Sequence, residues 1–471
     1  MIKHSLFAVV FFVVLSCATA AAQNLCPAGV ASDKLICVIP QAFGPNGLQL
    51  QGSFQNSFVG SSLKPLTSAI ARQAVLLPLA SPSSGITFIW DPVAKVPVPS
   101  PGSFGPILSD RAETIGKYKL FVSFDYQYLK FGSLDGVDLN GLPEVFTQPN
   151  DSVNAPPGQT CSALPNGSNT GLCAFIRDVV KVNSRVDLKI HEFTTFVTFG
   201  VTNRIDVSIA MPIRNVRLGI FSNASIVDIS TTGRLSFPSR TGCGEGGTNC
   251  LNQPFSNSRT ASGVADMTLR VKGTAWKGER AAVALGAEIR LPTGDALNFL
   301  GSGTAGFKPF VVWSLSGRIS PHALVGYEVN GSSVIAGDVS TGTRERLPSQ
   351  FTYSGGADIQ VTKWFTAAFD LLGQQVFEAQ RLVRTNFTEL AACTPTADPF
   401  SPTCPFGAGN VGNVDPNLSQ LAGTFNITSI SVGGKLRPFS NLLLTGNALL
   451  KVNSGGLRSS VIPLLGISYT F

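Results

Sequence analysis

Residues able to do chemistry are few and scattered. Gly301-Ser302-Gly303-Thr304-Ala305-Gly306 satisfies the glycine spacing of a dinucleotide-binding turn, but residues 307–316, with Pro309 inside them, read as a strand where that fold needs a helix. Beyond residue 22 the histidines are His191 and His322, with no Cys-x-x-Cys beside them and no serine and acid at a catalytic spacing. The expectation is no enzyme, no catalytic residue, no metal and no cofactor.

Cysteine chemistry is better patterned. Cys26 and Cys37, Cys161 and Cys173, Cys243 and Cys250, and Cys393 and Cys404 form four local pairs. Short loops close at the least entropy, and an exported chain resides where disulfides persist, so four loop staples are expected. Export is itself read from the start: Lys3, an apolar run from Leu6 to Leu15 and Ala20-Ala21-Ala22 make a signal peptide over residues 1–22. A rival reading acylates Cys17 within Val14-Leu15-Ser16-Cys17.

The remaining candidates are charges on alternating faces. In residues 263–276, Asp266, Arg270 and Lys272 share one face and Met267, Leu269 and Val271 the other, and residues 281–291 repeat the pattern with Glu288 and Arg290. In a closed barrel the apolar face meets lipid and the charges line the lumen. A turn centred on Gly278 places Asp266 opposite Arg290 and Thr268 opposite Glu288.

Two longer stretches, 179–201 and 204–229, change the parity of their apolar residues. Val201, Phe199, Val197 and Phe193 fall on odd numbers, whereas Ile190, Leu188, Val186 and Val182 fall on even ones. Ile205, Val207, Ile209 and Ile213 are odd, and Val216, Leu218 and Ile220 even. Both switches stand about ten residues from the intervening turn, roughly one tilted membrane crossing. One reading is an apolar vestibule at the outer mouth, a substrate path lined by Leu188, Ile190, Val216 and Leu218 and ringed by His191 and Arg214. The other is a matched pair of bulges that bends the sheet.

These residues need strands to hold them. Twelve segments of alternating polarity are expected at 118–131, 179–201, 204–229, 263–276, 281–291, 307–318, 323–330, 350–361, 364–377, 424–436, 442–452 and 461–471. Short connections at 202–203, 277–279, 320–322, 362–363 and 438–441 alternate with long ones, the rhythm of a transmembrane antiparallel up-and-down β-barrel. Trp276, Trp364, Phe365, Phe439 and Phe471 lie beside the short turns as an interfacial girdle. Tyr469 and Phe471, in the closing Pro463-Leu464-Leu465-Gly466-Ile467-Ser468-Tyr469-Thr470-Phe471, resemble an outer-membrane assembly signal. Residues 23–117 break the rhythm, with a helix-like 67–80 and a hairpin over 86–99, and are expected to plug the barrel of 118–471. Two more strands, making fourteen, is the alternative.

Composition agrees with this class. The chain has 471 residues, 13% charged, with 48 Gly and 32 Phe, and a net charge of +7 from scattered basic residues. No nucleic-acid partner is expected.

The blocks at 109–146 and 264–312, above all Arg111-Ala112-Glu113-Thr114-Ile115-Gly116 and Arg290-Leu291-Pro292-Thr293-Gly294-Asp295, resemble outer-membrane transporters of the meta-cleavage pathway of phenol degradation. These are similar in turn to the long-chain fatty-acid transporter superfamily. The resemblance implies a monomeric barrel in outer-membrane lipid, inserted by the barrel-assembly machinery, that passes a small hydrophobic ligand inward. A general porin and a surface structural or adhesive protein are the alternatives.

Overall fold

The computed structural model describes residues 33–44, 48, 63–75, 88–91, 96–99, 102–147, 179–227, 237, 251–338, 342–390, 411–439 and 441–471. The expected signal peptide over residues 1–22, the rival lipidation at Cys17 and all cysteines except Cys37 lie outside them. Cys37 is disulfide-bonded.

Among the described residues, twelve antiparallel strands close into one barrel. We number them β1 Leu120–Leu134, β2 Val179–Gly200, β3 Ile205–Val227, β4 Asn252–Val264 continued by Met267–Lys277, β5 Ala281–Leu291, β6 Gly306–Leu315, β7 Ile319–Asn330, β8 Gln350–Gln360, β9 Phe365–Leu390, β10 Val411–Phe439, β11 Leu442–Lys451 and β12 Val461–Thr470. Each pairs with its sequence neighbours, and β1 closes the ring by pairing with both β12 and β2. Phe471 completes the seam, its N–H donating to the Leu120 carbonyl at 2.8 Å while its ring lies 4.6 Å from that of Tyr469.

Side-chain alternation explains why this sheet belongs in a bilayer. Phe124, Phe193, Ile213, Val271, Leu285, Phe369, Leu465 and Ile467 are exposed on the outer face, while Ser123, Thr194, Lys272, Asp370 and Lys435 are buried inside. A water-soluble barrel inverts that pattern; here hydrocarbon solvates the outside and the lumen holds the polar groups. Inward hydroxyls pair across strands, Ser184 with Ser222 at 2.7 Å and Thr198 with Ser208 at 2.9 Å. Trp276, Trp364, Phe439 and Phe471 are exposed beside the short turns, where amphipathic rings gather at an interface.

Several boundaries differ from the sequence reading. The turn before β7 lies at 316–318, and Ser320, Pro321 and His322 are inside the strand. β4 begins at Asn252 rather than 263, and β9 and β10 run to 26 and 29 residues, because strand beyond the bilayer needs no apolar face. The β4–β5 register is displaced by two from the expected one, so Thr268 faces Arg290 and Arg270 faces Glu288: the turn lies later in the chain than Gly278, with Lys277 opposite Ala282, and the shift at Val283/Ala284 takes back one residue of the offset. Residues Phe88–Asp91 and Val96–Pro99 form their own two-stranded sheet, which removes the fourteen-strand alternative.

Two pieces of the N-terminal region lie inside the barrel. Toward the long-loop end, a 3-10 turn Leu35–Cys37 and helix α1, Leu63–Ala74, bury Leu35, Ile36, Ile39, Leu66 and Ile70 in one cluster with inward residues of β1 to β3. Toward the short-turn end, residues 102–117 cross the lumen as a strap. The strap joins β1 through a tight crossing: the Tyr118 N–H donates to the Gly200 carbonyl at 2.7 Å, and Gly116 and Tyr118 adopt positive φ. A Cβ on Gly200 falls 1.8 Å from the Gly116 carbonyl oxygen, so the position needs glycine. Gly200→Ala is expected to cost about 2 kcal/mol through overpacking, read as a lowered midpoint in heat-modifiable gel migration of the purified protein.

Candidate functional site

The strap is fixed by charge. Asp110, 1% exposed, pairs with Arg270 and with Lys272, the latter at 3.2 Å. Lys272 Nζ also donates to the Arg111 and Glu113 carbonyls at 2.8 and 3.0 Å, and Thr274 donates to the Ala112 carbonyl at 2.7 Å. Across the lumen Lys435 Nζ reaches the Phe104 and Pro106 carbonyls at 3.1 and 2.6 Å. Asp206 accepts the Ile115 N–H at 3.0 Å, and Ser314 donates to Glu113 at 2.9 Å. Burial pushes the Glu113 carboxyl up, but Arg111 and the Ser316 and Ser314 hydroxyls outweigh it and hold the group below its ordinary value. Near the same rim His322 bridges Asp358 and Asp370 at 3.1 and 2.5 Å.

The other inner segment is fixed by packing. Leu188, Ile190, Val216 and Leu218 are 0% exposed and contact the cluster that holds α1. The pairing of β2 with β3 runs from Val179↔Val227 to Gly200↔Asp206 without a register shift, so even-numbered β2 residues face inward throughout. The parity switch is thus a change of chemistry on an unbroken strand, and no bulge accompanies it. The inward face is apolar, as expected, but it is filled by the N-terminal segment instead of forming an open vestibule. Phe43 closes the packing edge-on to Phe146 and Phe255, at 5.3 and 5.0 Å.

His191 is not in the lumen. Its odd number places it on the outer face, where its Nδ1 lies 2.9 Å from the Tyr126 hydroxyl and its ring 4.8 Å from that of Tyr128. The same parity that set Phe193 outward required this. Arg214 does face inward. It pairs with Glu192 directly across the sheet, and its Nη1 donates to the Ala74 carbonyl at 3.4 Å, so a guanidinium caps the end of α1.

Between α1 and the strap lies a cavity of 280 Å³. Its floor includes Leu108, Ser109 and Asp110 and its roof Ala69, Arg72, Gln73 and Val75. Its two walls differ. On β4 to β7 the four charges anticipated from sequence, Asp266, Arg270, Glu288 and Arg290, line it in two ion-pair groups: Arg270 to Glu288 at 3.5 Å, with Lys308 also on Glu288, and Arg290 to Glu328 at 3.0 Å and to Asp266 at 3.8 Å. Asp266 also accepts the Gly294 and Ser302 N–H groups at 3.0 and 2.7 Å where β4 breaks, which anchors the glycine-rich loop that follows β5. On β9 to β12 the lining turns apolar, with Val376, Phe425, Ile427, Leu449 and Ile462. Sequence reasoning did not find that second wall, because its residues alternate like any other strand and only closure brings them to the chamber. Burial holds the Arg72 guanidinium in the roof below its ordinary value, partly offset by Glu345. Among the described residues no three His, Cys, Asp or Glu side chains converge to hold a metal.

Replacing Asp110 by Asn leaves Arg270 and Lys272 short of a buried counter-charge, a change worth about 3–5 kcal/mol. The expected outcome is a loosened strap and raised single-channel conductance with the barrel still assembled. Leu218→Asp places a charge in the apolar packing at a cost of about 3 kcal/mol or more and is expected to expose α1 to protease in limited digestion.

No curated protein matches the chain. Of solved structures, an outer-membrane channel from Pseudomonas putida F1 aligns at 12% identity and TM-score 0.40, covering 76% of this chain and 98% of that one. A FadL homologue from Pseudomonas aeruginosa aligns at 10% identity and TM-score 0.28, over 75% and 89% of the two chains. A channel described as the CymD monoaromatic hydrocarbon channel aligns at 8% identity and TM-score 0.25, over 75% and 88%. Residues 182–381, from within β2 to within β9 and including the block at 264–312 but not that at 109–146, match the family described as "Putative MetA-pathway of phenol degradation".

Proposed function

We propose that this barrel is an outer-membrane channel that takes up small hydrophobic or aromatic compounds by binding and diffusion, without a chemical step. The chamber carries the reading. At 280 Å³ it sits near the lower end of small-molecule pockets, about 300–1,000 Å³, and suits a compound of one ring. Val376, Phe425, Ile427, Leu449 and Ile462 give such a ring an apolar wall, and the opposite network offers hydrogen bonds to one polar substituent. The description of the family that residues 182–381 match points to the same compounds. A general porin fits less well, since α1 and the strap both cross the lumen, and in a surface adhesin an interior chamber has no use.

The same reading gives residues 1–22 the task of export, has Tyr469 and Phe471 serve recognition by the assembly machinery, and makes the protein a monomer in outer-membrane lipid. Passage requires the inner segments to yield. The strap and α1 are held by non-covalent contacts among their described residues, and the barrel's own hydrogen-bonded seam need not break.

A porin-deficient bacterial host expressing the protein should accumulate labelled phenol and toluene several-fold faster than the vector control, with arabinose entry unchanged. Arabinose entry at a porin's rate, or no gain for either ring compound, would overturn the assignment.

A further inference from the structure

The cations around the chamber fall into two sets. Arg214, Arg270, Arg290 and Lys308 each face a carboxylate: Glu192, Asp110, Glu328 and Glu288. Arg458 does not. It belongs to Leu457–Ser459, a short strand between β11 and β12 that pairs with the end of β1, Arg458 opposite Ser133. It is 7% exposed and lines the chamber. Its Nη2 donates to the Thr428 carbonyl at 2.6 Å and the Ser429 hydroxyl at 2.9 Å, both uncharged. Its Nε is buried with no hydrogen-bond partner. Among the described residues no carboxylate stands within ion-pair distance of it.

Two further cations line the chamber without a direct ion pair among the described residues, although Glu345 acts on Arg72 through space. Arg72 in the roof donates to the Ile335 and Ala336 carbonyls, and the Nζ of Lys451, an exposed residue, donates to the Ser133 hydroxyl at 3.5 Å. The Leu457 N–H donates to the side-chain oxygen of Gln73, which ties the Arg458 strand to the end of α1 that carries Arg72. Cations without a direct ion pair thus stand at Arg458, beside Phe425 and Ile427, at Lys451 and in the roof at Arg72.

A buried guanidinium without a counter-charge is destabilising, as is the group left behind when one partner of a buried pair is removed. Such a group is retained where something anionic meets it, and the planar fork of arginine matches a carboxylate. We propose that Arg458 is the head-group site of the chamber, and that it selects small amphiphiles carrying one carboxylate, whose apolar part lies on Phe425, Ile427 and Ile462. The inference rests on the channel reading and deepens it: the cargo class becomes aromatic acids in addition to neutral hydrocarbons.

The test is calorimetric titration of the purified full-length barrel in detergent with sodium benzoate and with benzamide, its uncharged counterpart. Benzoate should bind at least tenfold tighter than benzamide; Arg458→Gln should abolish that gap, and Arg458→Lys should keep part of it. Equal binding of the two by the unaltered protein, or a gap that survives in Arg458→Gln, overturns the head-group site and leaves the channel reading standing. Binding of neither overturns both. Heat-modifiable migration reports whether each variant is assembled. If Arg458→Gln is not, the benzoate-to-benzamide ratio in the unaltered protein and in Arg458→Lys still decides.

Discussion

A sheet in hydrocarbon must satisfy every backbone donor and acceptor within itself, and the pairing of β1 with both β2 and β12 does this by abolishing the edge. Everything else follows from that closure. Once the ring is shut, side-chain parity has only two destinations, lipid or lumen. Phe193 and His191 then share one fate and Thr194 and Glu192 the other, whatever their chemistry. A residue's neighbours are set by its parity first and its polarity second.

Closure creates the next problem. Twelve strands enclose more space than their inward side chains fill, and without the strap Arg270 and Lys272 would lose Asp110 and face a water-filled lumen. The chain answers with its own N-terminal region. Where the inward face is polar, toward the short-turn end, the strap supplies carbonyls and Asp110 to the lysines and arginine. Where it is apolar, on the strands that rise beyond the bilayer, α1 and the 3-10 turn supply leucines and isoleucines. The chamber is what remains between these two fillings.

The barrel itself was legible because lipid imposes alternation on every membrane-crossing strand: β5, β9 and β12 could be read from parity alone. The change of inward chemistry on β2 and β3 was legible too, since it repeats at the same height on neighbouring strands. What lay above the bilayer was not. Asn252–Val264 is rich in Asn, Ser and Thr and reads as a loop, yet it pairs with β3 throughout its length. Residues 320–322 read as a short turn, whereas all three sit within β7. His191 reads as a residue of the mouth, but its odd number on an unbroken strand sends it to the outer face. The contacts of Asp110 and Arg458 were out of reach of any local pattern: each joins segments far apart in sequence, and a two-residue register shift such as that between β4 and β5 changes every partner.

The two fillings resist displacement by different physics, and this constrains how a solute passes. The α1 layer is held mainly by apolar contact, which is non-directional and is weakened little by small shifts, so the helix can slide over Leu188 and Val216 while remaining buried. The strap is held by charged and directional bonds at Lys272, Lys435 and Asp110, and moving it exposes several of these at once. A solute entering from the long-loop end therefore meets the compliant layer first and the stiff one last. Arg458 and Arg72 lie on the compliant side of that order, within reach of whatever has displaced α1 but not yet the strap. An anionic group in the chamber would compete with Asp110 and Glu288 for Arg270, so arrival of cargo would weaken one of the ion pairs that anchor the strap.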